Sequence, residues 1–393
     1  MKKEIGFNTL KEILSSNNNM PSTADQILDS IIKAGQILDS IIKADQEYII
    51  YGAGRIGKEI YSLLKKRNTK VIAFLDQNAQ ENQYFDCVPV LTVNNFSQKG
   101  NKSAHVIISL FTSRSIINDI ISTLTMEYIT NIIYNENLLA CFCKLGLSKR
   151  DDIIFSDYAN QILKAFDMLC DDHSRAIYVE NLKAYITWDF KQTIQSENTI
   201  QYFDVNVPFS KGYSCFVDCG AFVGDSLQEM TKLLKCNSYF GFEPDRTNFE
   251  KLSVQANNVS SKLENIFLFP CAVSDYTGLA YFNENENSGS SLAEGCNTGV
   301  PVSVVKLDDC IKKSRITMIK MDIEGAETVA LWGAKEIITS QQPDLAICVY
   351  HKVSDIWEIP ILLREWVPSY QFFLRCHCPN TMETVLYATI STN

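Results

Sequence analysis

Apolar runs alternate with amphipathic helical stretches along most of this chain. In the first half the runs cover residues 48–51, 71–75 and 105–110, and in the second half residues 216–219, 239–242, 266–270, 316–321 and 345–350. Short continuous apolar runs separated by helices are typical of parallel strands that are covered on both faces. The pattern therefore predicts an α/β fold with two Rossmann-like domains. Residues 371–375 and 384–388 are expected to close the second domain as an antiparallel hairpin.

The same pattern divides the chain into four parts. We expect a helical segment at residues 1–45, a Rossmann-like domain at 46–150, a helical connector at 151–210 and the second α/β domain at 211–393. A chain of 393 residues is long for one domain, and two domains can each bury a core.

The N-terminal helical segment contains an exact tandem duplication. Residues 26–34 have the same sequence as residues 36–44, and Gly35 lies between the copies. A shift of ten residues turns a helix roughly 80° out of register, so both copies cannot face one groove on a straight helix. We therefore predict that one copy is surplus, unless Gly35 breaks the helix and lets each copy pack separately.

Composition and charge exclude some classes of protein. Hydrophobic residues make up 46% of the chain and charged residues 21%, which excludes a mainly disordered protein. The net charge of −10 argues against a broad nucleic-acid interface, which needs a basic face. The 13 cysteines are scattered and lie mostly in apolar strands, so we expect buried free thiols. No cysteine pair has the two-residue spacer of a zinc knuckle, and no metal site is predicted there.

The N-terminus and the hydropathy of the chain bear on its location. The first residues turn polar too early for a signal peptide, and no apolar run approaches the roughly 20 residues that span a bilayer. The sequence therefore predicts a cytoplasmic protein without a membrane partner.

A glycine-spaced turn follows the strand at residues 216–219. Gly220 and Gly224 remove side chains that would keep a ligand from the backbone, and Asp218 offers a carboxylate to an amine or a hydroxyl. Glu243 follows the next strand, 19 residues after Gly224, which is the spacing of an acid that accepts ribose hydroxyls. The ligand predicted by these residues is a nucleoside.

The acids in this turn select among nucleosides. Asp218 and Asp225 flank the glycines and would repel a pyrophosphate. S-adenosylmethionine has no phosphate and carries a sulfonium and an ammonium group, so it suits carboxylates. The sequence therefore favours S-adenosylmethionine over a dinucleotide.

A second glycine turn lies in the first domain. Gly52, Gly54 and Gly57 follow a strand and open a helix, and Asp76 ends the next strand, 19 residues after Gly57. The turn resembles the nucleotide-sugar-binding domain of bacterial sugar acyltransferases and the turn of many dehydrogenases. These residues predict either a second nucleotide site or glycines that only permit close helix–strand packing.

The second half of the chain resembles the FkbM-type methyltransferases, a family of S-adenosylmethionine-dependent enzymes. The resemblance covers about residues 200–390 and rests on four motifs, at residues 216–221, 241–245, 320–327 and 350–352. It implies a seven-stranded sheet with a final antiparallel hairpin. It also implies O-methylation of hydroxyls in sugars, glycans or secondary metabolites, as in polysaccharide biosynthesis.

The resemblance also implies roles for individual residues. The methionine part of the cofactor would lie against Asp218, Gly220 and Gly224, the ribose against Glu243, and the adenine against Ala272 and Val273. Many members of the family have asparagine where this chain has Phe222. The contact of that asparagine would then pass to Asp225 or Ser226.

Three residues are expected to face the acceptor: Asp322, Glu324 and His351. Methyl transfer needs alignment of sulfonium and oxygen and a group that takes the hydroxyl proton. The ordinary pKa of histidine suits His351 to that task, and the alternative is a hydrogen-bonded histidine at a strand end. Asp322 and Glu324 could orient the hydroxyl, share the proton or hold a divalent cation, although a cation is not predicted.

Two other functions remain open from the sequence. One is an NAD(P)-dependent oxidoreductase that uses the first glycine turn, and the other is a protein that binds S-adenosylmethionine or a nucleotide sugar without turnover. The predicted partner is a small-molecule or glycan acceptor, whose identity and methylated atom the sequence does not define. The oligomeric state is not predicted.

Overall fold

Two large sheets and one small sheet contain the strands described by the computed structural model. The structure describes residues 2–16, 23–43, 45–110, 114–135, 138–139, 141–142, 155–187, 193–196, 199–282, 300–379 and 381–391. Among these residues, no helix is long and apolar enough to cross a membrane.

The first sheet has six strands, most of them parallel. Its elements are β1 (Glu47–Tyr51), α3 (Arg55–Lys66), β2 (Lys70–Leu75), β3 (Tyr84–Phe85), β4 (Val88–Leu91), α4 (Val93–Lys99), β5 (His105–Ile108), α5 (Arg114–Met126) and β6 (Ile132–Ile133). The spatial order is β3-β4-β2-β1-β5-β6, and all neighbours are parallel except β3 and β4. Alternate residues of β1 enter two cores on opposite faces of this sheet.

The two N-terminal helices pack on different sheets. Helix α1 (Lys2–Ser16) buries Leu10 and Leu14 in the core of the second half of the chain, whereas α2 (Thr23–Ile41) buries Ala34 and Leu38 against the first sheet. Helix α2 continues through Gly35, so the alternative that this glycine breaks the helix and lets each copy pack separately is wrong. A Cβ at Gly35 would lie 2.8 Å from Arg67 Nη2, so a side chain at this position would contact the Arg67 guanidinium.

The connecting helices belong to the core of the second sheet. A 3-10 turn (Phe155–Tyr158) leads to α6 (Ala159–Met168) and α7 (Asp172–Thr187). Arg375 on the last hairpin forms ion pairs with this region, because its guanidinium lies 2.7 Å from Asp171 Oδ2 and 3.1 Å from Asp204 Oδ2.

The second sheet has seven strands in the order β15-β16-β14-β13-β7-β8-β9. Its elements are β7 (Cys215–Cys219), α8 (Asp225–Leu233), β8 (Ser238–Phe242), α9 (Arg246–Val259), β9 (Asn265–Phe269), β13 (Met318–Met321), α11 (Glu327–Gly333), α12 (Lys335–Gln341), β14 (Asp344–Cys348), α13 (Asp355–Trp366), β15 (Tyr370–Cys376) and β16 (Thr384–Ile390). Strand β16 is antiparallel to both β14 and β15. The seven-stranded sheet with a closing antiparallel hairpin is therefore confirmed.

A small sheet interrupts the alternation between β9 and β13. Strands β10 (Ala272–Val273), β11 (Gly278–Phe282) and β12 (Val300–Val305) form it in the order β10-β12-β11, and α10 (Leu307–Cys310) follows. The carboxyl ends of β7, β8, β13 and β14 lie at one edge of the large sheet, where open α/β sheets bind ligands.

Candidate active site

The glycine turn after β7 brings the ends of two neighbouring strands together. Gly220 has a φ of +80°, and a Cβ there would lie 1.9 Å from the backbone oxygen of Asp322, which follows β13. Gly224 has a φ of +86° and caps the N-terminus of α8. Glycine adopts this left-handed conformation at little cost. Gly220 thus lets the turn lie against Asp322, the first residue of the acidic motif (Asp322, Glu324 and Glu327), whereas Gly224 lies against Leu252 and Gln255 of α9.

Asp218, the fourth residue of β7, is fully buried and is bonded inside the protein. Lys320 Nζ lies 2.8 Å from Oδ1, the Tyr239 hydroxyl donates to Oδ2 at 2.8 Å, and the Ser226 hydroxyl also donates to Oδ2. A buried carboxylate needs such partners to offset its lost hydration. The sequence leads us to expect Asp218 and Ser226 against a cofactor, but in the structure their polar groups bind each other and hold the turn.

Lys320 links the two halves of the site. It is a buried cation inside an otherwise apolar strand, and besides its pair with Asp218 it donates to the Gly220 carbonyl at 2.6 Å. Burial alone would lower the pKa of Lys320, but the charges of Asp218 and Asp322 raise it above its ordinary value. The turn and the acidic motif therefore share one ammonium group.

Glu243 follows β8 directly and lies beside the glycine turn. Its Oε2 accepts the N–H of Phe222 at 2.8 Å, and its Oε1 accepts the N–H of Asp245 at 2.9 Å. Burial raises the pKa of Glu243 to about 7, and the two backbone donors only partly oppose that effect. Further donors to the carboxylate would therefore stabilise its charged form.

Phe222 and the adjoining strand ends complete this side of the site. Phe222 has a φ of +47° and is 51% exposed, a conformation in which asparagine is enriched. The Phe269 carbonyl at the end of β9 accepts the N–H of Glu243 at 3.1 Å. Ala272 and Val273 in β10 follow Phe269 within a few residues. The predicted ribose position at Glu243 and the predicted adenine position at Ala272 and Val273 therefore lie near each other.

His351 lies among the carboxylates of the acidic motif, beside Asp322, Glu324 and Glu327. Its Nδ1 is 2.8 Å from Glu327 Oε1, and its Nε2 is 3.5 Å from Asp322 Oδ1 and 3.6 Å from Glu324 Oε2. Burial would lower the pKa of His351, but Glu327 first, then Asp322 and Glu324, raise it to about 10. The sequence-based expectation of an ordinary histidine pKa is wrong, because the imidazole carries a proton at neutral pH in this surrounding.

Asp322 faces two tyrosines on its other side. The Tyr202 hydroxyl donates to Oδ2 at 2.8 Å, and the Tyr350 hydroxyl lies 3.3 Å from Oδ1. Burial would raise the pKa of Asp322, but the charges of Lys320 and His351 and the Tyr202 hydroxyl hold it below its ordinary value. Asp322 is therefore ionised at neutral pH.

Glu383 is a site residue that sequence reasoning missed. Its Oε1 lies 3.3 Å from the Tyr350 hydroxyl, and its Oε2 accepts from the Gln201 side chain. Burial, followed by the charge of Asp322, raises the pKa of Glu383 to about 7. No local pattern marks a glutamate in a hairpin turn, whereas Lys320 could have been found as a charge in the middle of an apolar strand.

The first glycine turn has a different character. The Ala53 N–H donates to Asp76 Oδ2 at 3.1 Å, so the acid closes onto the turn. A Cβ at Gly57 would lie 2.0 Å from the Gly52 carbonyl oxygen, whereas a Cβ at Gly54 would meet nothing within 4 Å. Gly57 is thus required for helix–strand packing, and Gly54 alone of the three glycines borders open space.

The seven-stranded sheet with its glycine turn is an open α/β sheet, which binds ligands at the carboxyl ends of its strands. Residues 218–374 match the family model described as the methyltransferase FkbM domain. On this match the chain is a methyltransferase. Glu383 and Tyr202 lie outside the matched residues.

Solved structures agree with the fold. The crystal structure of the methyltransferase FkbM from Methylobacillus flagellatus KT matches with a TM-score of 0.53 and 21% identity, covering 92% of this chain and 99% of that one. An rRNA methylase from Streptococcus thermophilus matches with a TM-score of 0.29 and 15% identity, covering 46% of this chain and 88% of that one. The latter overlap is too loose to support an argument. No curated protein sequence matches the chain significantly.

Proposed function

We propose that this chain transfers a methyl group from S-adenosylmethionine to a hydroxyl of a sugar, glycan or secondary metabolite. The observation that carries the proposal is the juxtaposition of a glycine turn with the buried Glu243 and an acidic, tyrosine-lined cluster on neighbouring strand ends. A polar acceptor fits a lining of carboxylates and hydroxyls, which can accept and donate hydrogen bonds to several hydroxyl groups at once.

The cofactor side fits S-adenosylmethionine in its chemistry. Burial raises the pKa of the Glu243 carboxyl to about 7, and ribose hydroxyls would add donors that favour its charged form. Gly220 and Gly224 would lie against the methionine part, and Ala272 and Val273 against the adenine. Asp218 and Ser226 would act on binding through the shape of the turn, since their polar atoms bond each other.

The reaction needs one proton acceptor in addition to alignment. The bound cofactor supplies a methyl group on a sulfonium: the acceptor oxygen forms the new bond to carbon, and the sulfur keeps the electron pair of the broken bond. The chain must take the hydroxyl proton. His351 is already protonated and Asp322 is a weak base, whereas Glu383 has a pKa of about 7 and faces the same Tyr350 hydroxyl as Asp322. We assign the proton to Glu383, and the orientation of the hydroxyl to Asp322, Glu324 and His351.

Variants of these four residues test the proposal. Glu383→Gln should keep S-adenosylmethionine binding but slow transfer on the order of 10²–10⁴-fold, the usual loss for a general base. Asp322→Asn, Glu324→Gln and His351→Gln should also act on turnover more than on cofactor affinity. The measurement is S-adenosylhomocysteine release with a panel of hydroxylated acceptors, beside calorimetry of cofactor binding.

A surface glutamate provides the matched control. Glu336→Gln removes a carboxylate that pairs with Lys312 at 3.1 Å on the surface, and it should transfer at the wild-type rate. Wild-type turnover in all four site variants would contradict the assignment of the site. Absorbance changes with NAD(P)H would favour the oxidoreductase, and cofactor binding without release of S-adenosylhomocysteine would favour a binding protein.

A further inference from the structure

A closed ring of hydrogen bonds joins the carboxylates of Asp322 and Glu383. Gln201 Nε2 donates to Glu383 Oε2 and, at 2.8 Å, to the Tyr202 hydroxyl. The Tyr202 hydroxyl in turn donates to Asp322 Oδ2 at 2.8 Å. The second oxygens, Asp322 Oδ1 and Glu383 Oε1, each lie 3.3 Å from the Tyr350 hydroxyl. Each carboxylate thus has one oxygen held by residues 201–202 and one oxygen that faces Tyr350.

The Tyr350 hydroxyl has one proton for these two carboxylates. Burial, followed by the charge of Asp322, raises the pKa of Tyr350 well above its ordinary value, so the phenol keeps its proton. A phenol donates a single hydrogen bond, so it cannot serve two ionised carboxylates at once. A proton on Glu383 removes this conflict, because the protonated carboxyl donates to the phenol oxygen while the phenol donates to Asp322. The state of Glu383 therefore decides which carboxylate Tyr350 serves.

Two residues of the ring have a rare backbone conformation. Tyr202 has a φ of +67° and Glu383 a φ of +53°, in the left-handed region that residues with large side chains seldom adopt. Such a conformation is costly and persists where the surrounding structure holds it, most often at functional sites. The Tyr202 N–H donates to the Tyr387 hydroxyl at 3.0 Å, and the Glu383 carbonyl accepts the N–H of His377 at 3.1 Å. The fold thus holds both residues where their side chains enter the ring.

We propose that Tyr350 and Gln201 are positioning residues that couple the base Glu383 to Asp322 through this ring. The inference rests on the proposed function, in which Glu383 takes the proton of the acceptor hydroxyl. Before transfer, Gln201 and Tyr350 both donate to the ionised Glu383. When the acceptor O–H bond breaks, its proton forms a new O–H bond on Glu383, which donates to the phenol oxygen, and the phenol O–H rotates to Asp322. The phenol keeps its own proton throughout, and Glu383 later returns the acquired proton to solvent.

Glu383 is the member of this neighbourhood that titrates near neutral pH. The other titratable groups that face it are Tyr202, Asp322, Cys348, Tyr350, His351 and Cys376. Burial raises the pKa of the tyrosines and the thiols above their ordinary values, while His351 keeps its proton and Asp322 its charge at neutral pH. Burial and then the charge of Asp322 raise the pKa of Glu383 to about 7, and the bonds from Gln201 and Tyr350 oppose this rise. The titration midpoint of Glu383 therefore reports on the ring.

Titration of Glu383 in the ligand-free full chain tests the coupling without knowledge of the acceptor. Protein labelled with ¹³C at the glutamate carboxyls is titrated by NMR, and the Glu383 signal is identified by its absence from Glu383→Gln. Loss of a donor to the charged carboxylate should move the midpoint upward by about 1 pH unit in Tyr350→Phe and in Gln201→Leu. Asp322→Asn removes a neighbouring negative charge and should move the midpoint downward. The control is Gln228→Leu at an exposed position of α8, which should leave the midpoint unchanged.

The outcomes separate this coupling from the proposed function. A wild-type midpoint in Tyr350→Phe or in Gln201→Leu overturns the proposal, as does an upward shift in Asp322→Asn. Near-UV circular dichroism shows whether each variant is folded, and Gln201→Leu decides alone if Tyr350→Phe does not fold. With an acceptor, the pH at which methyl transfer is half-maximal should move with the Glu383 midpoint, and an unchanged pH profile in Tyr350→Phe overturns the positioning role while the proposed function stands. Shifted midpoints without methyl transfer to any acceptor support the coupled ring and count against the proposed function.

Discussion

At the scale of the residue, we expect Glu243 to couple cofactor binding to pH. Its pKa is about 7 in the ligand-free protein, against an ordinary value of 4.5. Ribose hydroxyls donate to the charged form, so S-adenosylmethionine should bind the carboxylate and release a proton when it binds below this pKa. We expect affinity about tenfold weaker at pH 6 than well above pH 7, since one pH unit corresponds to about 1.4 kcal/mol. Calorimetry across this pH range measures the slope of cofactor affinity against pH.

A variant isolates the contribution of this carboxyl. Glu243→Gln should weaken binding by about 1.5–3 kcal/mol at high pH, the range of hydrogen bonds to charged groups, and should remove the slope. The stability of the ligand-free protein should depend on pH in the opposite direction to cofactor affinity, which rises with pH. Between about 4.5 and about 7 the folded carboxyl keeps a proton that the unfolded one loses, so stability falls as pH rises. A pH slope retained in Glu243→Gln would remove Glu243 from the cofactor site.

Changes at Lys320 and at Asp218 should have coupled effects on the unfolding free energy, because the two side chains form a buried ion pair. Lys320→Met leaves the Asp218 carboxylate buried without its cation, which should cost about 3–5 kcal/mol of unfolding free energy. Asp218→Asn combined with Lys320→Met should cost clearly less than the sum of the two single changes. Urea denaturation measures all three. Lys312→Met breaks the surface pair with Glu336 and should cost less than about 1 kcal/mol. Additive single effects would show that the buried pair is not coupled.

At the scale of the element, the register of α2 leads us to predict that one copy of the duplication can be deleted. Deletion of residues 26–35 places Ala24 at the buried position of Ala34 and Asp25 at that of Gly35. Arg67 borders the latter position, so an aspartate there meets a cation. We expect the melting temperature to stay within a few degrees, which corresponds to less than about 1 kcal/mol. A large loss of melting temperature would show that the first copy also packs.

The elements also show where sequence reasoning succeeds. Strands and glycine turns of the second sheet could be predicted, because continuous apolar runs and a left-handed Gly220 are properties of a short stretch of chain. The docking of α1 onto the second half could not, because its apolar stripe at Leu10 and Leu14 is compatible with any apolar partner. Helix α2 passes through Gly35 because packing of Leu38 outweighs the modest helix penalty of one glycine.

At the scale of the whole molecule, the site depends on contacts between distant segments. Asp322, Glu324 and His351 could be located from motifs, but the proton held by His351 results from three carboxylates that only the fold brings together. Glu383 and Tyr202 come from the closing hairpin and from the segment before β7, so no single motif contains them. The sequence thus located the ligand edge but not the protonation states along it.

One measurement tests the central claim most directly. The full chain is incubated with S-adenosylmethionine that carries a deuterated methyl group and with fractions of sugars, glycans and secondary metabolites, and the products are analysed by mass spectrometry. The account predicts an acceptor that gains the labelled methyl group as an ether, in equal amount to the S-adenosylhomocysteine formed. Glu383→Gln should form this product on the order of 10²–10⁴-fold more slowly. Label found on nitrogen or carbon, or an acceptor labelled as fast by Glu383→Gln as by the wild type, would contradict it.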